Sequence, residues 1–217
     1  MSGPIGLMKS DGIVPVFHSD DVGTAFAVAQ AVHAGGVHTF EFTNRSERAV
    51  EVLASLIKRA SAELPGLAIG VGSIVDVTTA SRAVSVGASF VVGPSLIAGV
   101  GDVCAAASVP YIPGASTLTE MLAGEAMGSG LVKLFPASHA GGPGYLAAVR
   151  APCPWLEVMP TGGIEPTAES IGPWFEAGAA CVGLGSSLFA RDLIDEGRWE
   201  ELAARVGDAV AVVARLR

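Results

Sequence analysis

The chain has 217 residues, of which half are hydrophobic and 16% are charged, and its formal net charge is −8. This acidic balance argues against a nucleic-acid partner, because proteins that bind nucleic acids usually present a basic surface. No apolar run approaches the roughly 18–20 residues of a membrane span, and the N-terminus lacks the basic and apolar regions of a signal peptide. We therefore expect no membrane partner and a cytoplasmic protein.

Short apolar segments alternate with alanine-rich segments along the whole chain, without a linker rich in Pro, Gly or Ser. Helical periodicity is clear over 22–34 and 48–64. The alternation predicts an α/β fold of parallel strands covered by helices. Eight strand–helix units favour a single (β/α)8 TIM barrel over residues 1–217, and an open doubly wound sheet is the alternative. The predicted strands are 12–17, 38–43, 67–72, 89–94, 109–114, 131–136, 156–161 and 180–185.

Two charged residues lie inside predicted strands, where charge is unfavourable. Lys133 lies in the run LVKLFP, and Glu41 lies between Phe40 and Phe42. If both phenylalanines face the helices, the alternation of a strand turns Glu41 inward. A buried carboxylate is costly without a partner, so we expect Lys133 beside it. Desolvation favours the neutral amine of a buried lysine, which predicts a lysine able to attack a carbonyl; a structural ion pair is the alternative.

Other candidate residues gather where predicted strands end, because the carboxyl ends of barrel strands carry the chemistry of such folds. Ser73 follows the third strand, and Pro94 ends the fourth. Gly162-Gly163 and Gly185-Ser186 lie at the ends of the last two strands, where barrels frequently bind phosphate through backbone N–H groups. These four positions predict a substrate-binding rim.

The histidines and cysteines do not form a metal-binding pattern. His18 and His139 follow the first and sixth strands and could reach a ligand, with solvated loop histidines as the alternative. Neither H-x-H nor H-E-x-x-H spacing occurs, so we expect no metal and no cofactor. Cys104, Cys153 and Cys181 are odd in number and widely spaced among small apolar residues, which predicts buried free thiols.

The motifs AGGVHTFEFTNR, IPGASTLTEMLAG, VKLFPA and MPTGGIEP occur in this order. In order and spacing they resemble the family of 2-keto-3-deoxy-6-phosphogluconate (KDPG) and 2-keto-4-hydroxyglutarate (KHG) aldolases, and the resemblance covers nearly the whole chain. It implies a class I aldolase on a (β/α)8 barrel that forms a homotrimer. Such a lyase cleaves a 2-keto-4-hydroxy acid to pyruvate and an aldehyde. The implied substrates are KDPG, which yields glyceraldehyde 3-phosphate, and 4-hydroxy-2-oxoglutarate, which yields glyoxylate.

The resemblance also implies roles for individual residues. Lys133 matches the lysine that forms the Schiff base, and Glu41 matches the glutamate that shuttles protons. Arg45 and Ser73 match residues that hold the carboxylate of the pyruvyl unit, the latter usually a threonine. Pro94 lies at the same rim and is expected to contact the substrate.

Thr161 is implied to lie beside the substrate, and the loops at Gly162-Gly163 and Gly185-Ser186 match a phosphate cradle. Two departures from the family stand out. Asn44 precedes Arg45 where many members have Leu, and HSDD after the first strand lacks a basic residue that helps some members bind phosphate. The requirement for phosphate is therefore open. The alternatives are a 2-keto-3-deoxy-6-phosphogalactonate aldolase, a phosphosugar isomerase, and a non-catalytic barrel that binds phosphosugars or sugar acids.

Overall fold

Strands and helices alternate along the chain, as the sequence predicts. The computed structural model describes residues 3–217, which contain nine strands and ten helices. The strands are β1 (Ile13–Phe17), β2 (Thr39–Thr43), β3 (Ala68–Gly72), β4 (Val91–Val92), β5 (Tyr111–Ile112), β6 (Gly114–Ala115), β7 (Val132–Leu134), β8 (Val158–Pro160) and β9 (Val182–Leu184). The helices are α1 (Pro4–Asp11), α2 (Val22–Ala34), α3 (Ala49–Glu63), α4 (Val77–Ser85), α5 (Ala98–Ala106), α6 (Leu118–Ala126), α7 (Gly142–Arg150), α8 (Ala168–Glu176), α9 (Arg191–Asp195) and α10 (Trp199–Leu216).

Every strand pairing is parallel, which confirms the predicted α/β architecture. Six strands form one curled sheet in the order β5-β4-β3-β2-β1-β9, and three form a second sheet in the order β6-β7-β8. In parallel sheets the carboxyl ends of all strands lie on one side. The candidate residues that follow these strands therefore share one rim.

The two sheets meet at two places. Pro113 separates β5 from β6, because proline has no N–H to continue the ladder, and the segment predicted as one strand over 109–114 becomes two short strands. The Pro113 carbonyl still accepts a hydrogen bond from the Lys133 N–H at 2.9 Å. At the other junction, the Ala180 N–H donates to the Val158 carbonyl at 2.9 Å, and Thr161 forms an isolated parallel bridge with Gly183.

Alternate residues of several strand segments, such as Val91 and Val92 or Val158 and Met159, enter two different hydrophobic clusters. Phe40 and Phe42 are fully buried in the larger cluster, which includes the inward faces of the helices. The smaller cluster lies on the inner face of the sheets and consists of Met8, Val14, Phe90, Val92, Ile112, Leu131, Met159 and Cys181. Lys133 and Thr161 lie two residues beyond Leu131 and Met159, so they stand above this apolar layer.

Helix α1 is an element that the sequence analysis did not predict. Pro4 starts it, and Gly12 ends it in a left-handed conformation with φ of 75°. The Met8 side chain is fully buried and belongs to the inner cluster, so α1 covers the end of the sheets opposite the rim. A helix of eight residues is too short to show a clear 3.6-residue pattern.

None of the helices described for residues 3–217 has both the length and the apolarity needed to cross a membrane.

Candidate active site

A cavity of about 830 Å³ opens at the carboxyl ends of the strands. All ten candidate residues from the sequence analysis line it, although they come from six different strands or the loops that follow them. The ten are Glu41, Arg45, Ser73, Pro94, Lys133, Thr161, Gly162, Gly163, Gly185 and Ser186. The parallel arrangement is what brings residues so distant in the chain together.

Lys133 and Glu41 form an ion pair at the floor of this cavity. The Nζ atom of Lys133 lies 3.4 Å from Oε1 of Glu41, and their side chains are 7% and 0% exposed. The ring centroid of Phe135 is 5.2 Å from Nζ. Within the described residues, Oε2 of Glu41 has no hydrogen-bond partner. A buried carboxylate oxygen without a hydrogen-bond partner is energetically unfavourable. Such oxygens are uncommon in folded proteins, and catalytic sites are one place where they occur.

Two glycines that the sequence analysis overlooked make room for site side chains. Gly72 ends β3 beside β2, and a Cβ atom there would lie 2.6 Å from Cδ of Glu41. Gly183 in β9 faces Thr161, and a Cβ there would lie 2.8 Å from Cγ2 of that threonine. Oγ1 of Thr161 is buried without a hydrogen-bond partner in the described part of the chain. The glycines therefore define where the carboxylate and the hydroxyl can lie, a role that only the three-dimensional register reveals.

The wall near β2 and β3 carries the cation and hydroxyl expected to bind a carboxylate. Arg45 is exposed at the rim, and Ser73 lies after β3 with a φ of 62°, in the left-handed region. The Asn44 N–H donates to the Gly72 carbonyl at 2.8 Å, which fixes the loop that carries Arg45 against β3. A non-glycine residue held at positive φ is strained, and such strain is found preferentially at functional sites.

The opposite wall is built from the loops after β8 and β9. Gly162 and Gly163 have φ values of 102° and 76°, which favour glycine and turn the chain sharply at the cavity. The Ser187 hydroxyl donates to the Ile164 carbonyl at 2.7 Å and joins this loop to the one after β9. Arg205 of α10 donates to the carbonyls of Ser187 and Leu188 at 2.8 and 2.9 Å. Arg205 therefore holds the loop after β9 from outside the cavity, and Ser187 joins the loop after β8 to it.

The two candidate histidines have different positions. His18 lines the cavity, and its Nδ1–H donates to the Thr43 carbonyl at 2.9 Å, while Nε2 lies 3.7 Å from Asp20. His139 is not among the residues that line the cavity, and its ring contacts the hydroxyl of Ser138 instead. Of the two, His18 is the one placed to reach a ligand.

The segment after β1 also contains the cap of helix α2. Oδ2 of Asp21 accepts a hydrogen bond from the Thr24 N–H at 2.6 Å. This bond lowers the pKa of the Asp21 carboxyl below its usual range, because it stabilises the charged form. Asp20 instead accepts a hydrogen bond from the Ser46 hydroxyl. Asp21, and not Asp20, is therefore the N-cap of α2.

The three cysteines are buried free thiols, as predicted. Burial raises the pKa of Cys104 to about 11 and that of Cys181 to about 12, because the thiolate is disfavoured in apolar surroundings. Among residues 3–217, no group of three or more His, Cys, Asp or Glu side chains is arranged to hold a metal ion.

Other residues line the cavity that the sequence analysis did not single out. Glu165 follows β8, and Arg191 and Asp195 belong to the short helix α9 after β9. Phe17 and Phe189 form part of the wall, with ring centroids 5.1 Å apart. The turn from β9 into α9 brings this second charged region to the rim, and no sequence pattern indicated it.

The chain is similar in sequence to known aldolases. The family model for KDPG and KHG aldolases matches residues 5–205. A 2-dehydro-3-deoxy-phosphogluconate aldolase of Pseudoalteromonas atlantica is 32% identical over 93% of this chain and 91% of its own. The KHG/KDPG aldolase of Escherichia coli is 29% identical over 94% of this chain and 93% of its own.

A solved structure gives the same answer at the level of the fold. The crystal structure of KDPG aldolase from Legionella pneumophila, with pyruvate captured at low pH as a covalent carbinolamine intermediate, superposes with a TM-score of 0.84 at 27% identity. The match covers 96% of this chain and 98% of that one. Nearly complete coverage by the family model, the relatives and the structure leads to one conclusion: this chain belongs to the KDPG and KHG aldolase family.

Proposed function

We propose that this protein is a class I aldolase that reversibly cleaves a 2-keto-4-hydroxy acid to pyruvate and an aldehyde. The observation that carries the proposal is the buried pair of Lys133 and Glu41 at the floor of the cavity, 3.4 Å apart. The names of the relatives point to KDPG and 4-hydroxy-2-oxoglutarate as candidate substrates, with glyceraldehyde 3-phosphate or glyoxylate as the aldehyde.

In the first half of the proposed reaction, the amine of Lys133 attacks the C2 carbonyl carbon of the substrate. The carbinolamine loses water and becomes an iminium ion, which accepts the electron pair released when the C3–C4 bond breaks. Glu41 takes the proton from the C4 hydroxyl, directly or through one water, as the C4 oxygen becomes the aldehyde carbonyl. Glu41 suits this role because one of its buried oxygens has no partner within the described residues.

In the second half, the enamine left on Lys133 is protonated at C3 and hydrolysed to release pyruvate. Lysine is required because the step needs a neutral amine, and the arginine guanidinium stays protonated in proteins. The Legionella enzyme holds pyruvate as a covalent carbinolamine, which supports the same chemistry for this relative of it.

The remaining cavity residues are proposed to orient the substrate. Arg45 and Ser73 would hold the pyruvyl carboxylate, with Pro94 beside them and Thr161 near the reacting carbons. The glycine-containing loops after β8 and β9 would contact the aldehyde half. This assignment is supported by the placement of all these residues around one cavity with Lys133 at its floor.

Borohydride reduction in the presence of pyruvate tests the proposal. The reduced pyruvyl adduct is expected on the peptide that contains Lys133. Lys58 lies exposed on α3, so it serves as an internal control for non-specific modification. An unmodified Lys133 in folded protein with excess pyruvate would contradict the proposal. It would favour a non-catalytic sugar-acid-binding barrel or an isomerase in which the lysine acts only electrostatically.

A second candidate reaction differs only in the sugar. A 2-keto-3-deoxy-6-phosphogalactonate aldolase would use the same lysine and release the same pyruvate. Comparing kcat/KM for the gluconate- and galactonate-derived epimers separates the two.

We propose further that the two curled sheets form one closed (β/α)8 barrel and that residues 1–217 are one domain. In this proposal β5 and β6 are two parts of one strand interrupted by Pro113. Support comes from the Ala180–Val158 hydrogen bond and the Thr161–Gly183 bridge, which join the remaining edges. A single cooperative transition in calorimetry, with equal calorimetric and van't Hoff enthalpies, is expected for one domain. Two separated transitions would contradict it.

A homotrimer is proposed from the resemblance to the family, and the cytoplasmic location stays a prediction. Sedimentation equilibrium should give three times the chain mass of 21.8 kDa, and a monomer mass would contradict the proposal.

A further inference from the structure

The two ends of the cavity differ in charge. The end near β2 and β3 contains Arg45, whereas the end formed by the loops after β8 and β9 is lined by the carboxylates of Glu165 and Asp195. Arg191 also lines this second end; its side chain is 94% exposed, that of Asp195 is 65% exposed, and Nε of Arg191 lies 3.4 Å from Oδ2 of Asp195. In the proposed reaction the pyruvyl half occupies the first end. The aldehyde half therefore extends toward a region in which carboxylates outnumber cations.

The N-terminus of helix α2, which also borders the cavity, is already occupied by a carboxylate of the chain itself. Helix N-termini commonly bind phosphate through free N–H groups. Here the Asp21 carboxylate accepts the Thr24 N–H at 2.6 Å, and Thr24 lines the cavity. The hydrogen bond from the Thr24 N–H lowers the pKa of Asp21, because it stabilises the charged carboxylate. A phosphate approaching α2 would meet a negative charge rather than an open N–H group.

Two further basic side chains near the cavity, Arg205 and His18, donate hydrogen bonds to backbone carbonyls. Arg205 donates to the backbone carbonyls of Ser187 and Leu188 and is not among the residues that line the cavity. His18 donates to the Thr43 carbonyl, and its other ring nitrogen lies 3.7 Å from Asp20. These hydrogen bonds fix the backbone of the segments around the cavity.

The same surroundings suit hydroxyl groups. Carboxylates accept hydrogen bonds and cannot donate them, so Glu165 and Asp195 can bind sugar hydroxyls but repel a phosphate dianion. The exposed hydroxyl of Ser186 and the backbone of the glycine loops can bind either kind of oxygen. Building on the proposed aldolase activity, we infer that the preferred substrate has an uncharged, hydroxylated aldehyde half. Its class is the unphosphorylated 2-keto-3-deoxy sugar acids.

Matched substrates test this inference on the full-length protein. We expect kcat/KM for 2-keto-3-deoxygluconate to exceed that for its 6-phosphate by roughly tenfold, the effect of modest like-charge repulsion. 4-Hydroxy-2-oxoglutarate, which has a carboxylate at the far end, should also react less efficiently than 2-keto-3-deoxygluconate. A higher or equal kcat/KM for either charged substrate would overturn the inference.

Charge removal tests the cause of the preference. The double variant Glu165→Gln/Asp195→Asn removes both carboxylates and frees Arg191, so the ratio of kcat/KM for the phosphorylated to the unphosphorylated substrate should rise. Glu169→Gln is the matched control, because Glu169 is an exposed carboxylate of α8 that does not line the cavity. It should leave the ratio unchanged. An unchanged ratio in the double variant, or an equal rise in the control, would contradict the charge argument.

Different results would contradict the proposed aldolase activity and the inferred substrate class. Pyruvate has no aldehyde half, so its trapping on Lys133 does not depend on the far end of the cavity. An adduct together with a preference for phosphorylated substrate would refute only the inference about substrate class. Absence of both the adduct and pyruvate release from every substrate would refute the aldolase proposal itself.

Discussion

Replacing Gly72 with alanine should impair the reaction without touching a reactive group. Gly72 faces the Glu41 side chain, and the added Cβ would lie 2.6 Å from Cδ of the carboxyl group. Gly72 lies in a strand and not at positive φ, so the new methyl group acts through this contact rather than through backbone strain. Because Glu41 is fully buried, its carboxylate must move to relieve the overlap.

The size of the effect follows from ordinary contact distances. Carbon atoms pack at about 3.5–4.0 Å, so the carboxyl group must shift by at least about 1 Å, and its Oε1 atom is nearer still to the added methyl group. A displacement of about 1 Å in a catalytic group can reduce the rate about 100-fold, which corresponds to about 2.7 kcal/mol of activation free energy. The loss should appear in kcat, because the contacts proposed for the pyruvyl carboxylate are at Arg45 and Ser73.

Pyruvate release, followed with a coupled lactate dehydrogenase assay, measures this loss. Gly144→Ala is the matched control, because Gly144 lies within α7 with no atom within 4 Å of the added methyl group. It should retain full kcat and gain roughly 0.5–1 kcal/mol of stability, since alanine favours a helix more than glycine does. Thermal melting of both variants shows whether each remains folded.

A double-mutant cycle identifies the cause. Glu41→Gln alone should slow the reaction by roughly 10²–10⁴, the usual contribution of a positioned acid or base. If Gly72→Ala acts through Glu41, combining the two changes should cost little more than Glu41→Gln alone. Wild-type kcat in folded Gly72→Ala, or fully additive losses in the double variant, would refute the reasoning.

Three further predictions concern other groups. Lys133→Arg should stay folded, because it keeps a cation beside Glu41. It should give neither turnover nor a borohydride adduct, because the guanidinium cannot attack a carbonyl. Pyruvate release above about 1% of wild type would contradict this. Ser73→Gly should raise the free energy of urea unfolding by about 1 kcal/mol, because glycine tolerates the positive φ. It should also raise KM for the keto acid, because the proposed contact to the pyruvyl carboxylate is lost. Ser108 has a φ of 56° but does not line the cavity, so Ser108→Gly should stabilise the protein with no change in KM. The raised thiol pKa values of Cys104 and Cys181 favour the neutral thiols in the folded state, so their stabilising effect is complete below pH 9 and is lost as the pH rises toward 11 to 12. Between pH 8 and pH 10, the free energy of urea unfolding should fall less for Cys181→Ala than for wild type. An equal fall would contradict the raised thiol pKa of Cys181.

Much of the site could be predicted because strand chemistry is local. A lysine within LVKLFP and a glutamate between two phenylalanines are conspicuous against the apolar pattern, and strand alternation gives their direction. The parallel architecture then brings the ends of distant strands to one rim. These two regularities identified eight of the ten candidate residues around the cavity, and the family resemblance added Arg45 and Thr161.

What escaped prediction depends on register and on contacts distant in sequence. Gly72 matters because β3 pairs with β2 so that its missing side chain faces Glu41, and nothing in AIGVG reveals this. Helix α1 is too short to show a period, and Met8 acquires its place only when it packs on the inner cluster. Pro113 interrupts a run that otherwise reads as one strand, because the break comes from a missing N–H rather than a loss of apolar character.

The apolar layer beneath Lys133 and Thr161 has a consequence for how this protein can change over time. Leu131 and Met159 lie two residues before them in the chain, at or next to β7 and β8, and both are buried in the inner cluster with Met8. The same chain segments thus supply both a lower layer of core residues, which stabilises the fold, and an upper layer of residues at the cavity. Mutations at the rim can alter the accepted aldehyde while this lower layer keeps the scaffold intact. New specificities are therefore accessible by single substitutions, and each need not be accompanied by a compensating change in the core.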